Sequence, residues 1–487
     1  MTSIAWLPWS AESFARARAE AKPVLLSLAP SWCRYSQEMD RSSYADADVV
    51  DIVSGRFVPV RVDADRRPDV SERYRLGGFP TTAFLTPDGH ILGGGTFVEA
   101  SRLADVLRLV CDAFQSGRHV QARHVARPPT AGKASTAEPV ERLVEHVMES
   151  FDPVNGGFGG TPKFPHVAPV RLAMQLYKET GSQEYHEIAV KSLDAMGWGP
   201  LYDEQHGGFF RYSHDADWGR PNEEKLLDVN ASLLSLYVDA LETLRLARYG
   251  ERAEDVLRYI QTWLADPVDG GWAGSQRADP GYYTHGPSGN SHRGGAPPVD
   301  RTLYSDWNAM MASAALQAGR LLGDASLSEF AIKSLEHVLL LSYKPGAGVA
   351  HFVENGAAQV RGLLEDQIAM AVASLDAFEV TGNVVYEMMA EELASYATRT
   401  MWDGESDGFL DRAADPRRDI GLLRHPVKPF AVNCLAARML RRVARTAESG
   451  EFSDYADRTL AAMSSRAAAE GPLAADYVLA VRYAAER

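Results

Sequence analysis

Hydrophobic stretches long enough to cross a membrane are missing from this chain of 487 residues. A membrane-spanning helix needs about 20 consecutive apolar residues, and the opening residues Met1–Trp6 lack the basic and then apolar pattern of a secretory signal. Cysteine is scarce too. The chain has Cys33, Cys111 and Cys434, which are too few for a disulfide scaffold. We therefore expect a cytoplasmic protein with reduced thiols.

Basic residues are also fewer than acidic ones. Lysine and arginine total 50 against 65 acidic residues, which gives a net charge of −15. An acidic chain repels phosphate backbones and anionic lipid, so we expect neither a nucleic acid nor a membrane as a partner. The 45% of hydrophobic and 24% of charged residues are typical of a folded globular protein. The length exceeds that of one ordinary domain.

Strand and helix signals alternate in residues 1–125, which predicts an α/β domain there. The predicted strands are the apolar segments 23–28, 57–62, 81–86 and 90–92. A helix is predicted for residues 33–54, and a second one around Leu103 to Phe114 closes the domain, with Cys111 on its core side. Residues 126–137 have the composition of a linker.

Residues 138–487 show a helical pattern, and no strand is predicted there. The candidate helices are 138–151, 168–180, 182–197, 225–248, 251–266, 305–322, 326–342, 363–381, 383–402, 428–446, 451–469 and 472–486. Short joints at Gly181, Tyr249-Gly250 and Gly382 pair these helices into hairpins.

A loop motif recurs between the helix pairs. Asp152-Pro153-Val154-Asn155-Gly156-Gly157-Phe158 returns at 203–209, at 266–272 and, more loosely, at 403–409. A repeat of this size predicts stacked hairpins, which either stay open as a solenoid or close into a ring. Long loops that carry aromatic residues need a common surface to pack against, so we favour an (α/α)6 toroid. The aromatic residue of each loop then fills a gap between helix ends. The predicted fold class is thus α/β plus all-α.

A thiol motif follows the first predicted strand. Trp32-Cys33-Arg34-Tyr35-Ser36 opens a helix, where the dipole favours a thiolate. Pro80 precedes a strand and is expected in the cis form. The arrangement resembles the thioredoxin fold, with Ser36 at the position of the resolving cysteine. A mixed disulfide then has no internal thiol to expel it, so dithiol reduction is not expected. Trp32, Cys33, Ser36 and Pro80 either form a site for a thiol protein partner or support no turnover.

Longer motifs look like the spermatogenesis-associated thioredoxin-domain family. They include Phe57–Val70, Gly78–Gly89, the Gly-Gly-Phe-Gly-Gly-Thr-Pro-Lys-Phe-Pro segment at 156–165, Gly208–Asp215 and Trp307-Asn308. The resemblance implies a thioredoxin-like domain joined to an (α/α)6 domain related to six-hairpin glycosidases and N-acylglucosamine 2-epimerases. This chain departs from the family at Asn222, where a histidine is usual, and at Val299-Asp300-Arg301, where Asp-Asp-Lys is usual. Such changes either impair catalysis or alter the ligand.

The predicted toroid has a candidate site where its interhairpin loops converge. Acids near helix starts are candidate catalytic residues, beside Cys33 of the first domain: Glu224, Asp228, Asp300, Asp306 and Asp366. Candidate substrate-binding residues are Arg211, Asn222, Lys225, Arg301, Trp307 and Asn308. Glycoside hydrolysis needs two carboxylates, and epimerisation needs a base and an acid. The structural alternative is that each acid only interacts with its own helix dipole.

No cofactor or metal is predicted from the sequence. The loop histidines lack the spacing of a metal site, and the glycine-rich segments lack nucleotide-binding patterns.

Three functions stay open from the sequence alone. They are a carbohydrate isomerase, epimerase or hydrolase, a redox protein using Cys33, and a binding or scaffold protein that has lost both chemistries. We expect a sugar-like ligand in the toroid and a docking or lid role for the thioredoxin-like domain.

Overall fold

The computed structural model describes residues 3–117, 138–285 and 295–485. Its contacts divide the chain into two compact units. The first unit comprises Met1–Gly132 together with Arg412–Val427, and the second comprises Lys133–Asp411 and Lys428–Arg487. The predicted linker 126–137 lies outside the described residues.

The first unit is built on a four-stranded sheet with the order β2-β1-β3-β4. Strand β1 runs parallel to β2 and antiparallel to β3, which in turn pairs antiparallel with β4. Its elements are α1 (Ala11–Ala19), β1 (Val24–Leu28), α2 (Arg34–Arg41), α3 (Ala47–Arg56), β2 (Val58–Val62), α4 (Pro68–Tyr74), β3 (Thr81–Leu85), β4 (Ile91–Gly95) and α5 (Ala100–Gln115). The four predicted strands and the α/β character are confirmed.

Two hydrophobic cores cover the two faces of this sheet. Leu26 packs on one face with Phe14 and Tyr74, whereas Leu25 packs on the other with residues of α3 and α5, including Cys111. The prediction of one helix over 33–54 is wrong, because the chain turns after α2 and restarts at α3. Asp46 caps the second helix by accepting hydrogen bonds from the backbone of Asp48 and Val49.

Residues 412–427 belong to this unit although they lie far along the chain. A short 3₁₀ helix, Gly421–Arg424, places Leu423 in the same core as Tyr74. The Tyr74 hydroxyl donates to the Gly89 carbonyl at 2.7 Å and accepts from the backbone N–H of Leu422 at 2.8 Å. A Cβ on Gly89 would lie 2.7 Å from the Gly421 Cα, so this approach requires glycine.

Twelve helices of the second unit form six pairs. They are α6 (Val140–Glu149), α7 (Val167–Thr180), α8 (Gln183–Gly197), α9 (Leu227–Leu244), α10 (Ala247–Trp263), α12 (Ser305–Leu322), α13 (Ala325–Ser342), α14 (Leu364–Thr381), α15 (Val384–Thr400), α16 (Phe430–Thr446), α17 (Gly450–Ser464) and α18 (Ala474–Ala485). A short helix α11 (Pro280–His285) and a 3₁₀ helix (Ala467–Leu473) lie in the connections. All twelve predicted helices are present.

The inner helices of these pairs close into a ring. In ring order they are α7, α9, α12, α14, α16 and α18, and α18 packs back onto α7. Each inner helix packs with one outer helix, and α6 is the outer partner of α18. One outer helix returns the chain between successive inner helices, so all six inner helices begin at the same end of the ring. The predicted (α/α)6 toroid is confirmed.

The hairpin joints follow the glycines at two of the three predicted places. Gly181 and Gly382 end α7 and α14 in the left-handed conformation, with φ of 69° and 68°. The joint predicted at Tyr249-Gly250 is wrong, because both residues lie inside α10. Arg245 makes the turn instead, with a φ of 56°.

Short strands appear in the loops of this unit, contrary to the prediction of none. They are β5 (Tyr212–Ser213), β6 (Pro221–Asn222), β7 (Lys225–Leu226), β8 (Ser275–Gln276), β9 (Val299–Asp300), β10 (Leu303–Tyr304), β11 (Tyr343–Lys344), β12 (Gly348–Glu354) and β13 (Ala357–Arg361). Strands β12 and β13 form a hairpin around Asn355-Gly356, whose positive φ values of 51° and 74° fit a type I′ turn.

A side-chain amide fixes the loop that precedes each of four inner helices. Asn230, Asn308, Gln367 and Asn433 are each the fourth residue of their helix. The Asn308 Oδ1 accepts from the Trp272 N–H at 2.8 Å, and its Nδ2 donates to the Trp272 carbonyl at 3.0 Å. The other three amides hold Phe209, Val349 and Phe409 in the same way. The repeat is therefore architectural, and its aromatic residues are buried as predicted.

Among the described residues, none of the helices has the length and apolar character required to cross a membrane.

Candidate functional site

Acidic residues occupy the first turn of four inner helices at one end of the ring. Asp228 begins α9, Asp306 begins α12, Asp366 begins α14 and Asp476 begins α18. A carboxylate in the first turn of a helix is normally stabilised as an anion. Here burial is the largest influence and raises the pKa of Asp228 and of Asp476 to about 6. Burial that outweighs the helix dipole is typical of functional carboxyls.

Asp306, His351 and Asp366 form one group, which we name the Asp306 cluster. The His351 Nδ1 lies 2.9 Å from the Asp366 Oδ1 and 3.9 Å from the Asp306 Oδ1. The three side chains are 4%, 3% and 0% exposed. The Asp306 Oδ1 and the Asp366 Oδ2 are buried without a hydrogen-bond partner. Neither acid is the N-terminal cap of its helix.

The elements around the Asp306 cluster hold it from three sides. His351 lies on β12, directly after the two residues by which this strand is fixed to the ring. The Ser305 hydroxyl of α12 donates to the Ala350 carbonyl at 2.6 Å, and Gln367 of α14 holds Val349. Burial raises the pKa of Asp306 well above its usual range; His351 opposes this rise, and the carboxyls of Asp366 and Glu365 add to it.

Each member of the Asp306 cluster offers one metal-ligand atom. These atoms all lie within 4.8 Å of one another. The cluster is thus a set of described residues that could hold a metal ion, whereas the sequence predicted none.

Arg211, Asn222, Glu224 and Asp228 form a second group, the Arg211 cluster. The Arg211 Nε donates to the Glu224 Oε1 at 2.6 Å, and the Asn222 Nδ2 donates to the same oxygen at 2.7 Å. The Asp228 Oδ1 is removed from solvent and has no hydrogen-bond partner. Burial raises the pKa of Asp228, and the positive charge of Arg211 opposes that rise. Glu224 precedes α9, just before the helix start as predicted.

Asp300 is connected to the Asp306 cluster through Tyr304. The pairing of β7, β8 and β9 places Leu226, Ser275 and Asp300 side by side. The Asp300 Oδ1 accepts from the Thr302 hydroxyl at 2.8 Å, and its Oδ2 accepts from the Tyr304 hydroxyl at 3.4 Å. The Tyr304 ring packs 5.7 Å from the His351 ring.

Arg301 is exposed, and Trp307 is partly buried with its ring 4.6 Å from that of Tyr304. The structure therefore places four of the five predicted acids of the ring in two groups where inner helices begin, and Asp300 in neither. Their predicted roles stay predictions.

Lys225 and Asn308 have structural partners. Lys225 is fully buried, and its Nζ donates to the Asp203 Oδ2 at 2.7 Å and to the Gly207 carbonyl at 2.5 Å. Burial lowers the pKa of Lys225 to about 8, and Asp203 opposes this effect. Asp152 with Lys163 and Asp403 with Lys428 repeat the same ion pair. Lys225 and Asn308 thus hold repeat loops, and their predicted contact with substrate stays a prediction.

The predicted thiol residues lie together in the first unit. Cys33 is the N-terminal cap of α2 and is 5% exposed. The Trp32 Nε1 donates to the Asp65 Oδ2 at 2.6 Å, and the Trp32 ring packs 6.0 Å from that of Phe79. The Phe79–Pro80 bond is cis, as predicted. Ser36 is buried, and its hydroxyl has no hydrogen-bond partner.

His351 is the main site residue that the sequence analysis missed. A usable signal was present, because Asn355-Gly356 follows an apolar run and is a strong hairpin indicator. A strand over 348–354 would have placed His351 in a buried element beside the helix starts.

Comparisons with known proteins agree with the two-part architecture. Residues 1–127 match the Thioredox_DsbH family, which is described as a protein of unknown function, DUF255. The chain is 29% identical over 308 residues to human spermatogenesis-associated protein 20. This match covers 56% of this chain and 39% of the relative. An uncharacterised Caenorhabditis elegans protein is 29% identical over 304 residues, covering 57% of this chain and 41% of the relative. The matches thus span about two fifths of these relatives' length.

Solved structures show the same helical fold at low sequence identity. A D-mannose isomerase has a TM-score of 0.53 and 16% identity, covering 66% of this chain and 85% of the isomerase. The cellobiose 2-epimerase of Bacillus thermoamylovorans has a TM-score of 0.53 and 13% identity, with coverages of 66% and 84%. A family 76 alpha-mannanase of Bacteroides thetaiotaomicron has a TM-score of 0.52 and 10% identity, with coverages of 71% and 96%.

These likenesses establish the fold class and not an activity. They confirm that this chain resembles the spermatogenesis-associated thioredoxin-domain family, in which a thioredoxin-like domain is joined to an (α/α)6 domain of the epimerase and six-hairpin glycosidase class.

Proposed function

We propose that the helical unit binds a sugar-like ligand at the end of the ring where the inner helices begin, and isomerises it by proton transfer at Asp228. The observation that carries this proposal is the Asp228 Oδ1, which is removed from solvent and lacks a hydrogen-bond donor. An unsatisfied buried acceptor costs about 1–3 kcal/mol. A ligand hydroxyl that donates to this oxygen would recover that cost.

The Arg211 cluster supplies the other groups that such a ligand needs. Glu224 accepts a hydrogen bond from the guanidinium of Arg211, and the Asn222 amide donates to the same Glu224 oxygen. A fixed cation of this kind stabilises negative charge that develops on a carbonyl oxygen. Asn222 stands where relatives usually carry a histidine, so Asp228 is the titratable group that we assign to proton transfer.

Proton transfer by one carboxyl is sufficient for aldose–ketose isomerisation. The Asp228 carboxylate takes the proton from the carbon next to the sugar carbonyl, which leaves an enediolate. Asp228 then returns this proton to the neighbouring carbon on the same face, while the adjacent hydroxyl proton moves to the former carbonyl oxygen, and this exchanges aldose and ketose. Epimerisation is not assigned, because it needs a second acid on the opposite face of the same carbon. A pKa near 6 suits both steps, because the group is then effective as base and as acid near neutral pH. D-mannose isomerase, which shares the fold, is named for a reaction of this class.

The thioredoxin-like unit is assigned a docking role without a reductase cycle. Its thiol is almost fully buried, and Ser36 lacks the sulfur that would expel a mixed disulfide.

The test combines binding with isotope exchange. The full chain is screened with aldoses, ketoses and β-linked disaccharides for a rise in melting temperature. Binding sugars are then incubated in D₂O, and loss of the signal of the proton next to the carbonyl, at C2 in aldoses and C1 in ketoses, is followed by NMR. Asp228→Asn should bind the sugar but lose the exchange, whereas Glu184→Gln, an exposed first-turn acid of outer helix α8, should keep both. Absence of any stabilising sugar refutes the binding site, and unchanged exchange in Asp228→Asn refutes the role of Asp228.

A further inference from the structure

The Asp306 cluster carries an inference beyond the proposed sugar site and independent of it. We infer that Asp306, His351 and Asp366 form a binding site for one divalent transition cation. The three side chains come from α12, β12 and α14, which are adjacent parts of the ring wall.

The spacing of the donor atoms fits a single ion. Zinc and similar cations bind nitrogen and oxygen ligands at about 2.0–2.2 Å, so two ligand atoms of one ion lie roughly 3–4 Å apart. The His351 Nδ1 lies 2.9 Å from one carboxylate oxygen and 3.9 Å from the other. A small movement of the side chains brings all three atoms to coordination distance.

The unpaired oxygens give a second and independent indication. The Asp306 Oδ1 is the atom that faces the imidazole, and it has no hydrogen-bond partner although its residue is 96% buried. The Asp366 Oδ2 is also buried and unpaired. Native structures satisfy nearly all buried polar atoms, and an exception indicates a missing water, ion or functional role.

Charge balance favours a doubly charged occupant. Metal ligands bind in their deprotonated forms, and two carboxylates with a neutral imidazole then carry a charge of −2 in a buried place, where an uncompensated charge is strongly destabilising. One divalent cation cancels this charge. A mixed set of imidazole and carboxylate ligands suits manganese, cobalt, iron or zinc, whereas calcium and magnesium prefer oxygen ligands alone.

Hydrogen bonds from neighbouring residues hold the Asp306 cluster in place, as expected of a preorganised site. Ser305 and Gln367 fix the backbone of Ala350 and Val349, directly before His351. Ser305 precedes Asp306, and Gln367 follows Asp366. The same two helix starts therefore carry the ligands and position the strand that supplies the third.

The experiment uses the full chain and needs no sugar, so its failure leaves the sugar proposal standing and the reverse also holds. The chain is treated with a chelator, dialysed, and exposed separately to Mn²⁺, Zn²⁺ and Co²⁺. After gel filtration, elemental analysis should show one tightly held ion per chain. At 100 times the dissociation constant, the melting temperature should rise by about 3–4 °C. Co²⁺ should give the visible absorption of an ion with nitrogen and oxygen ligands.

Isosteric variants separate this site from surface binding. Asp306→Asn and Asp366→Asn should each fold, since they keep the side-chain shape and remove a buried charge, and each should lose the bound ion and the Co²⁺ absorption. Glu329→Gln, an exposed acid on outer helix α13, should bind as the wild type does. His351→Gln gives a further variant that removes only the nitrogen ligand. Absence of a co-eluting ion in the wild type, or retention of the ion by both aspartate variants, overturns the inference.

Discussion

The imidazole of His351 is hydrogen-bonded through Nδ1 to the Oδ1 of Asp366, although 15 positions separate the two residues in the chain. The bond joins the middle of β12 to the first turn of α14. The hairpin of β12 and β13 makes this possible, because it returns the chain to the helix start. A loop strand, and not a ring helix, therefore completes this group of titratable residues.

The stability of the helical unit should depend on pH through Asp228. Its pKa is about 6 in the folded chain, and an unfolded aspartate has a pKa of about 3.9. The folded state then binds more protons between pH 4 and 6, so this contribution to stability decreases as the pH rises through that window. Asp228→Asn removes the effect and should become more stable than the wild type by about 1–2 kcal/mol at pH 7. Urea denaturation followed by far-ultraviolet circular dichroism measures the difference.

Asp403 provides a control for which the pH dependence of stability has the opposite sign. Burial would raise its pKa, but the hydrogen bonds from Lys428, from Ser406 and from the Glu405 backbone together outweigh burial and lower the pKa to about 2. Its stabilising effect is present above pH 4 and decreases as the pH falls toward 2. Asp403→Asn should therefore destabilise the chain at pH 7 and have less effect in acid. The same pH dependence in both variants would contradict these assignments.

The amide of Asn308 should contribute strongly to stability. Asn308→Ala leaves the backbone N–H and carbonyl of Trp272 without their partner inside the protein. We expect a loss of about 2–4 kcal/mol in the free energy of unfolding. Gln183→Ala removes an exposed amide from α8 and should change stability by less than about 0.5 kcal/mol. Equal melting temperatures for the two variants would show that the amide contacts contribute little.

Tyr74 should fasten residues 412–427 to the rest of the first unit. Tyr74→Phe removes the hydroxyl that joins Gly89 to Leu422 and leaves both backbone groups without it. The expected cost is about 1–3 kcal/mol, measured as faster proteolysis within 412–427 and a lower melting temperature. Tyr35 is 42% exposed, so Tyr35→Phe is the matched control. Unchanged proteolysis of Tyr74→Phe would refute this role.

The thiol site should not support disulfide reduction by itself. The wild type should give no turnover of insulin with thioredoxin reductase, because Ser36 cannot release a mixed disulfide. Ser36→Cys should introduce turnover, and adding Cys33→Ser should abolish it. Turnover by the wild type without an added small thiol would be inconsistent with this expectation.

Periodicity predicted the regular elements because each of them buries one face. The apolar spacing located all twelve ring helices, and the short apolar segments located the strands of the first unit. Local chemistry that does not depend on this spacing was harder to predict. Arg245 takes a left-handed conformation that usually requires glycine, and Asp46 divides a segment that was predicted as one helix.

The candidate site was predicted in part, for a related reason. Asp228, Asp306 and Asp366 could be placed from sequence, since each follows a long loop and begins a helix. His351 could not be placed without its hairpin, and the buried partners of Lys225 and Asn308 depend on folded loops. The sequence indicates where helices start, whereas the contacts between different loops determine which polar groups have partners.

Residues 412–427 also have a consequence for synthesis on the ribosome. The chain emerges from its first residue onward, and domains generally fold as units during this process. The first unit must wait for Leu423 before its core is complete, by which time most of the ring helices have been made. Its nascent sheet is left without part of its core until these residues have been made. The last steps of its folding are therefore coupled to the arrival of residues 412–427, about 300 positions after the end of α5.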